Sequence, residues 1–202
     1  MMRNTIKHLI DKEIRSKQRK LIETAAQLFF KHGFKKVTIE EICRTAKVSK
    51  VTFYRYFSSK DEMIKYITRL LGDNFAIKLE QIIDRDSTIK SKFDDIAILK
   101  QDFAANLGGE LRDSIFNSPA VKEYMHGLDQ RLMQKFEQLM HNEQAQGNIN
   151  PQVDIEKAVA FISRLNQLLS DDSFTGIYPD LKEMIGQVNE LLVMGLKSRE
   201  LS

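Results

Sequence analysis

The nine residues SKVTFYRYF, Ser49 to Phe57, hold two cations and four aromatic rings behind a serine. Their types suit binding to a charged, hydrogen-bonding polymer, and no pattern for a catalysed reaction surrounds them. The Lys50 ammonium can donate to guanine O6 and N7 or to a phosphate. The Thr52 hydroxyl can reach a base or a phosphate oxygen, and the Val51 methyls can touch a thymine methyl. Tyr54 and Tyr56 can offer phenol hydroxyls to phosphates while their rings rest on protein. Phe53 and Phe57 have no polar atom to offer and are expected in the core.

Such groups can read a double helix only from a short, rigid helix that its neighbours hold in place. Ile22, Ala25, Ala26 and Phe29 recur at spacings of three and four, which predicts an amphipathic helix over 17–32 ended by Gly33. Thr38 and Glu41 make a capping box for a second helix, apolar at Ile39, Ile42 and Ala46 and ending near Lys47. Ser49 is placed to cap a third helix through Tyr56, where backbone N–H groups and the helix dipole favour phosphate. Ser59 and Glu62 repeat the box and open a long fourth helix. Lys60, at its start, can share a phosphate with the helix terminus. Two helices joined by a tight turn, inside a basic three-helix unit, are the helix-turn-helix pattern.

The charge distribution agrees. Residues 1–60 carry 15 Lys+Arg against 5 Asp+Glu, a net of +10, while the remainder carries 16 against 23, a net of −7. The first part is built to meet a polyanion and the rest for something else. The single cysteine, Cys43, excludes an internal disulfide, suits a reducing cytosol and is expected as a small buried hydrophobe. No apolar run reaches the ~18 residues of a membrane span, and the charged N-terminus lacks the apolar stretch of a signal peptide. A cytoplasmic location is therefore expected.

The stretch VTIEEICRTAKVSKVTFYRYFSSKDEMIKYI, with AAQLFFKHGF ahead of it, resembles the DNA-binding domain of the TetR family of bacterial transcriptional regulators. The resemblance covers 15–75. It implies that Thr38, Lys50, Val51, Thr52, Tyr54, Tyr56 and Lys60 face DNA, with Ser49 and Arg55 beside them. It also implies a repressor that is a homodimer paired through its last two helices, bound to a near-palindromic operator and controlled by a small-molecule effector. One position departs: where the family has glycine in the motif's turn, this chain has Lys47. A left-handed residue there costs roughly 1 kcal/mol without glycine. Either the turn has reshaped slightly and Lys47 is tolerated there without function, or the cost is borne because Lys47 is an extra cation facing DNA. The expected domains are a basic N-terminal extension over 1–14, the DNA-binding domain over 15–75 and a ligand-binding and dimerisation domain over 76–202. The segment before the first helix reads either as a basic arm reaching DNA or as an extra helical turn in solvent.

Helices are predicted downstream over 88–107, in a short piece to about 116, and over 119–146, 155–169 and 181–197. No segment reads as strand, so the expected fold is all-α with about nine helices. Ile155, Val159, Ile162 and Leu169, with Leu181, Ile185, Val188 and Leu192, form wide apolar stripes suited to twofold pairing. Phe93, Phe103, Phe116, Tyr124, Met125, Leu128 and Phe161 are candidate walls of an apolar ligand pocket. An enzyme is not expected: there is no glycine-rich phosphate loop and no GxSxG, and His8, His32, His126 and His141 show no metal-ligand spacing. Asp94-Asp95 and Asp171-Asp172 read as solvated acids. No cofactor or metal is implied. The rival readings are a non-specific architectural DNA-binding protein, or a regulator of the same fold controlled by a protein partner or by no ligand.

Overall fold

Phe29, Phe53 and Met63, from three different helices, are fully buried, and the first part of the fold is built around them. The computed structural model describes residue 6 and residues 8–10, 14–106, 119–168 and 180–196. Eight α-helices stand among these residues: α1 Ser16–His32, α2 Ile39–Ala46, α3 Lys50–Tyr56, α4 Lys60–Asp84, α5 Ile89–Asn106, α6 Pro119–Ala145, α7 Ile155–Leu168 and α8 Leu181–Leu196. The short helix expected before Phe116 falls outside the described residues. The chain forms two compact units, Met1–Phe75 with Asn106–Gly127, and Ala76–Ala105 with Leu128–Ser202.

In the first unit α1, α2 and α3 pack on one another. Leu21, Ile22, Ala25 and Phe29 of α1 are buried with Ile42 of α2 and Phe53 of α3. Gly33 ends α1 at a φ of 78°, its N–H donating to the Phe29 carbonyl at 2.9 Å. Positive φ is open to glycine at no steric cost, so the chain turns there. Rings reinforce this core: Phe29 meets Phe34 edge-on at 5.3 Å, and Phe57 lies 5.9 Å from Phe53 and 5.8 Å from Tyr66.

Two described residues of the N-terminal segment are held in the core. Ile6 and Ile10 are both buried, the Ile10 N–H donates to the Ile6 carbonyl at 3.1 Å, and Arg19 of α1 donates to the Ile10 carbonyl at 3.3 Å. The two isoleucines sit four residues apart, one helical turn, so a single face carries both into the core.

In the second unit Phe93 of α5 packs against Phe136 of α6, centroids 5.5 Å apart, with Ile155, Val159 and Ile162 of α7 and Met184 and Ile185 of α8 also buried. Lys92 and Glu143 form a buried ion pair at 3.4 Å, and Asn148 donates to the other Glu143 oxygen at 2.8 Å. Burying such a pair carries a desolvation cost that attraction repays only when the remaining lone pairs are satisfied; the asparagine supplies that. Gly147, at a φ of 80°, turns the chain after α6. Gln144 ties the turn by donating to the carbonyls of Asn150 and Val153, and the Asp154 carboxylate caps α7 by accepting from the Lys157 N–H at 3.0 Å.

Candidate nucleic-acid interface

Two caps set the position of α3. Thr38 Oγ1 accepts from the Glu41 N–H at 3.1 Å, opening α2, and Ser49 Oγ accepts from the Thr52 N–H at 3.1 Å, opening α3. Between them Lys47 adopts the left-handed conformation, φ 55° and ψ 48°. Its N–H donates to the Arg44 carbonyl at 3.2 Å, and that of Val48 to the Cys43 carbonyl at 3.0 Å. Those bonds satisfy carbonyls that a helix end leaves orphaned. The turn has therefore kept the glycine-type geometry with a lysine in it, and Lys47 is exposed.

Phe53 and Phe57 anchor α3 from beneath, and its outer side is open. Val51 is 71% exposed and Tyr54 55%; Lys50, Ser49 and Arg55 are exposed, and Thr52 and Tyr56 half-buried. Ser49 Oγ and Thr52 Oγ1 lie 2.9 Å apart in one hydrogen bond, which fixes both hydroxyls at the start of the helix. Lys50 is engaged with the Glu40 carboxylate of α2, a partner absent from the sequence reading. Residues ten apart on different helices share no helical spacing, so periodicity gives no signal for this pair.

Lys60 differs from the expectation of a phosphate contact. Its ammonium donates at 2.8 Å to the carbonyls of both Phe34 and Val37 and lies over the Phe34 ring at 4.4 Å. Burial lowers its pKa, with nearby Asp61 acting in the opposite direction. The side chain is committed to closing the turn between α1 and α2. The second capping box is also displaced by one residue: the Glu62 N–H donates to Ser59 Oγ at 3.0 Å, but the Glu62 carboxylate accepts from Ser58. Cys43 is buried, and burial, more than nearby Glu40, raises its pKa.

The second unit contains an apolar cleft of about 80 Å³. Its walls include Phe93, Ile96, Met133, Phe136, Leu165 and Lys100. Of the residues expected to wall a pocket, only Phe93 does so. Phe116 lies outside the described residues, Phe103 and Met125 are half-buried away from the cleft, and Leu128 is buried core. Tyr124 belongs to the first unit, where its hydroxyl donates to Asp73 at 2.9 Å. Phe161 is 61% exposed.

The described residues of the stripe expected at a dimer interface lie largely within the unit. Ile155, Val159, Ile162 and Ile185 are buried inside the unit, and Val188 and Leu192 line the cleft. Leu169 and the Leu181 side chain fall outside the described residues. The exposed apolar groups of α7 and α8 are Phe161, Leu191 and Met194. Helices apolar on two sides turn the richer side inward, and the richer side is the one periodicity finds.

His141 is exposed. With Glu137 and Glu156 it brings three ligand-type atoms within 4.8 Å of one another. All three side chains are exposed enough for weak, solvent-screened pairing, at 4.0 and 3.9 Å. Asp94 and Asp95 are engaged with Lys90 and Arg85 at the surface; Asp171 and Asp172 lie outside the described residues.

A short helix held by buried rings, capped by hydroxyls and presenting cations, a valine and a tyrosine outward defines a helix-turn-helix DNA-binding protein. Residues 21–67 match the model of the bacterial regulatory proteins of the tetR family. That match lies within the helix-turn-helix part of the chain. It is 37% identical over 51 residues, 25% of its own length, to the helix-turn-helix-type regulator YuxN of Bacillus subtilis (strain 168). It is 30% identical over 102 residues, 44% of its length, to YvdT of the same organism. The matched parts span 18% and 53% of those relatives. The fold is similar to that of the transcriptional regulator FadR from Bacillus subtilis in complex with stearoyl-CoA, with a TM-score of 0.67 at 17% identity over 89% of this chain and 99% of that one. No helix among the described residues is long and apolar enough to cross a membrane.

Proposed function

We propose that this chain is a regulator of the TetR family, a cytoplasmic, homodimeric repressor that holds a near-palindromic operator through α3 and leaves it when a small molecule occupies the second unit. The observation that carries operator reading is the contrast across α3, where Phe53 is fully buried while Val51, Tyr54 and Arg55 are exposed beside Lys50. A helix so anchored keeps its outward groups in register with base edges, and its cations and hydroxyls with phosphates.

Three large apolar side chains left exposed on the last two helices support pairing of two copies. A twofold axis through that pairing sets two α3 helices about one or more DNA turns apart. Ligand control is supported by the apolar cleft and by the stearoyl-CoA complex of the similarly folded FadR. The effector acts by binding better to a conformation whose two reading helices are wrongly spaced, and its differential affinity sets the loss of operator affinity. Helix α4, whose residues belong to both units, is the transmitter.

The test is selection of bound duplexes from a random pool by the purified protein. Enrichment of a near-palindromic site is expected. Salt-sensitive binding with no enriched sequence would replace this reading with that of a non-specific architectural protein.

A further inference from the structure

Three side chains of metal-ligand type converge where α6 ends and α7 begins. Glu137 and His141 stand four residues apart on α6, about one helical turn, and so share a face. Glu156 lies in the first turn of α7. The turn at Gly147, tied by Gln144, reverses the chain and sets that start of α7 beside His141. We propose that Glu137, His141 and Glu156 bind one divalent transition-metal ion of the zinc type, which bridges α6 and α7 at the surface of the second unit.

One ligating atom of each residue lies within 4.8 Å of the other two. His141 Nε2 stands 4.0 Å from Glu137 Oε1 and 3.9 Å from Glu156 Oε1, too far for a hydrogen bond to either. Zinc bonds to imidazole nitrogen and carboxylate oxygen run ~2.0–2.2 Å, which sets two ligands of one tetrahedral ion roughly 3.4 Å apart. The spacing around Nε2 is thus wider than a direct bond and exceeds what an ion needs by about half an ångström. Side-chain rotation can close that difference, since His141 and Glu156 are exposed and Glu137 half-buried. The backbone beneath is held. Each ligand directly follows a buried residue, Phe136, Met140 or Ile155, and ligands on packed helices keep their spacing.

The donor set selects the ion. An imidazole nitrogen suits zinc, copper, nickel and iron, whereas calcium and magnesium take oxygen ligands. Two carboxylates balance a divalent charge, and a neutral imidazole adds a lone pair without adding charge. The ammonium of neighbouring Lys157 pairs with Asp154 at 2.6 Å. Three protein ligands leave a fourth position to water, which the exposure of the site allows. Spacing reveals only the pair on α6; the third ligand comes from across the turn, where periodicity gives no signal.

The experiment titrates the full chain with zinc chloride against a competing zinc indicator, alongside thermal melts. One zinc per chain is expected, bound equally well in excess magnesium. His141→Ala, Glu137→Gln and Glu156→Gln should each weaken it roughly tenfold or more, since even the outer hydrogen-bond partners of metal ligands cost that much. His126→Ala, which removes another exposed histidine, should leave affinity unchanged. Zinc should raise the melting temperature of wild type, because an ion that binds the folded chain stabilises it, and raise that of Glu156→Gln far less. The melt of each variant without zinc shows that it is folded. No saturable zinc binding overturns the proposal. Zinc that His141→Ala binds as tightly as wild type is an adventitious ion only, and overturns it too. Zinc lost in His141→Ala but undiminished in Glu156→Gln sits on α6 alone and overturns the bridge. None of the three residues lines the apolar cleft, so ligand control there stands or falls separately.

Discussion

The Lys50 ammonium, on the first residue of α3, donates to the Glu40 carboxylate of α2. This hydrogen bond is the largest cause of the raised pKa of Lys50 and of the lowered pKa of Glu40. Both side chains are exposed, so solvent screens the pair and it contributes little to folding. Under the proposed operator reading, its consequence lies at the DNA. A phosphate reaching for Lys50 must displace Glu40 or accept a carboxylate beside it, a repulsion felt by every DNA sequence. A guanine that offers O6 and N7 to the same ammonium gains a directed bond in return. Glu40→Gln is therefore expected to raise affinity for random DNA more than for the operator, and to steepen the salt dependence by roughly one counterion. Anisotropy titrations over a range of salt check this; an unchanged slope with an unchanged specificity ratio would show that Glu40 plays no part at the DNA.

Lys47 carries a strained backbone at φ 55°. Lys47→Gly removes the clash between Cβ and the carbonyl and is expected to stabilise the protein by roughly 1 kcal/mol, measured by urea unfolding. If Lys47 also meets a phosphate, the same variant lowers the salt slope of DNA binding. A stability gain with no change in slope would assign the lysine no role beyond tolerated strain.

Ile6 and Ile10 of the N-terminal segment are buried in the first unit. Ile10→Ala is expected to destabilise by about 2–4 kcal/mol, the range for deleting a buried aliphatic side chain. Removing positive charge from the segment should leave unfolding nearly unchanged. Thermal melts that find Ile10→Ala neutral would return the segment to the role of a free arm.

Phe161, Leu191 and Met194 are exposed at 61%, 71% and 72%. Under the proposed pairing, Leu191→Glu buries a charge at the twofold contact. It should shift the protein from dimer to monomer in analytical ultracentrifugation while a melting transition is retained. The same change at Ile185, which is buried, should unfold the chain instead. A Leu191→Glu protein that stays dimeric would place the interface elsewhere.

Lys100 makes stability depend on alkaline pH. Burial lowers its pKa to about 8 in the folded chain from an ordinary 10.5, with Asp129 acting in the opposite direction. Between those values the unfolded chain holds the proton more fully, so stability rises with pH. The contribution is fully present above 10.5 and lost as pH falls through about 8. Lys100→Met should thus melt higher than wild type at pH 7, and the gap should narrow toward pH 10. A gap independent of pH would show that the ammonium is not held in a desolvated site.

Local patterns made most of the helical framework legible. Thr38, Ser49 and Ser59 mark helix starts because their hydroxyls accept from N–H groups three residues on, and Gly33 marks an end because the turn needs positive φ. Patterns also located α3, with Phe53 buried and Lys50 and Arg55 exposed. They could not assign partners. The position of Lys60 at a helix start suits a phosphate contact, whereas two carbonyls of a preceding turn accept its hydrogen bonds.

What the sequence by itself determined is the class: an all-α chain whose basic N-terminal part carries a helix-turn-helix and the residues of the tetR family. That much rests on interactions within a few residues, where spacing and geometry are the same thing. The tertiary structure decided which apolar faces meet each other. It turned Ile155, Val159 and Ile162 inward, left Phe161, Leu191 and Met194 outside, and enclosed Lys100 in an apolar wall. Those choices depend on contacts between residues far apart in the chain, and burial there is a property of the packed helices together rather than of any one helix.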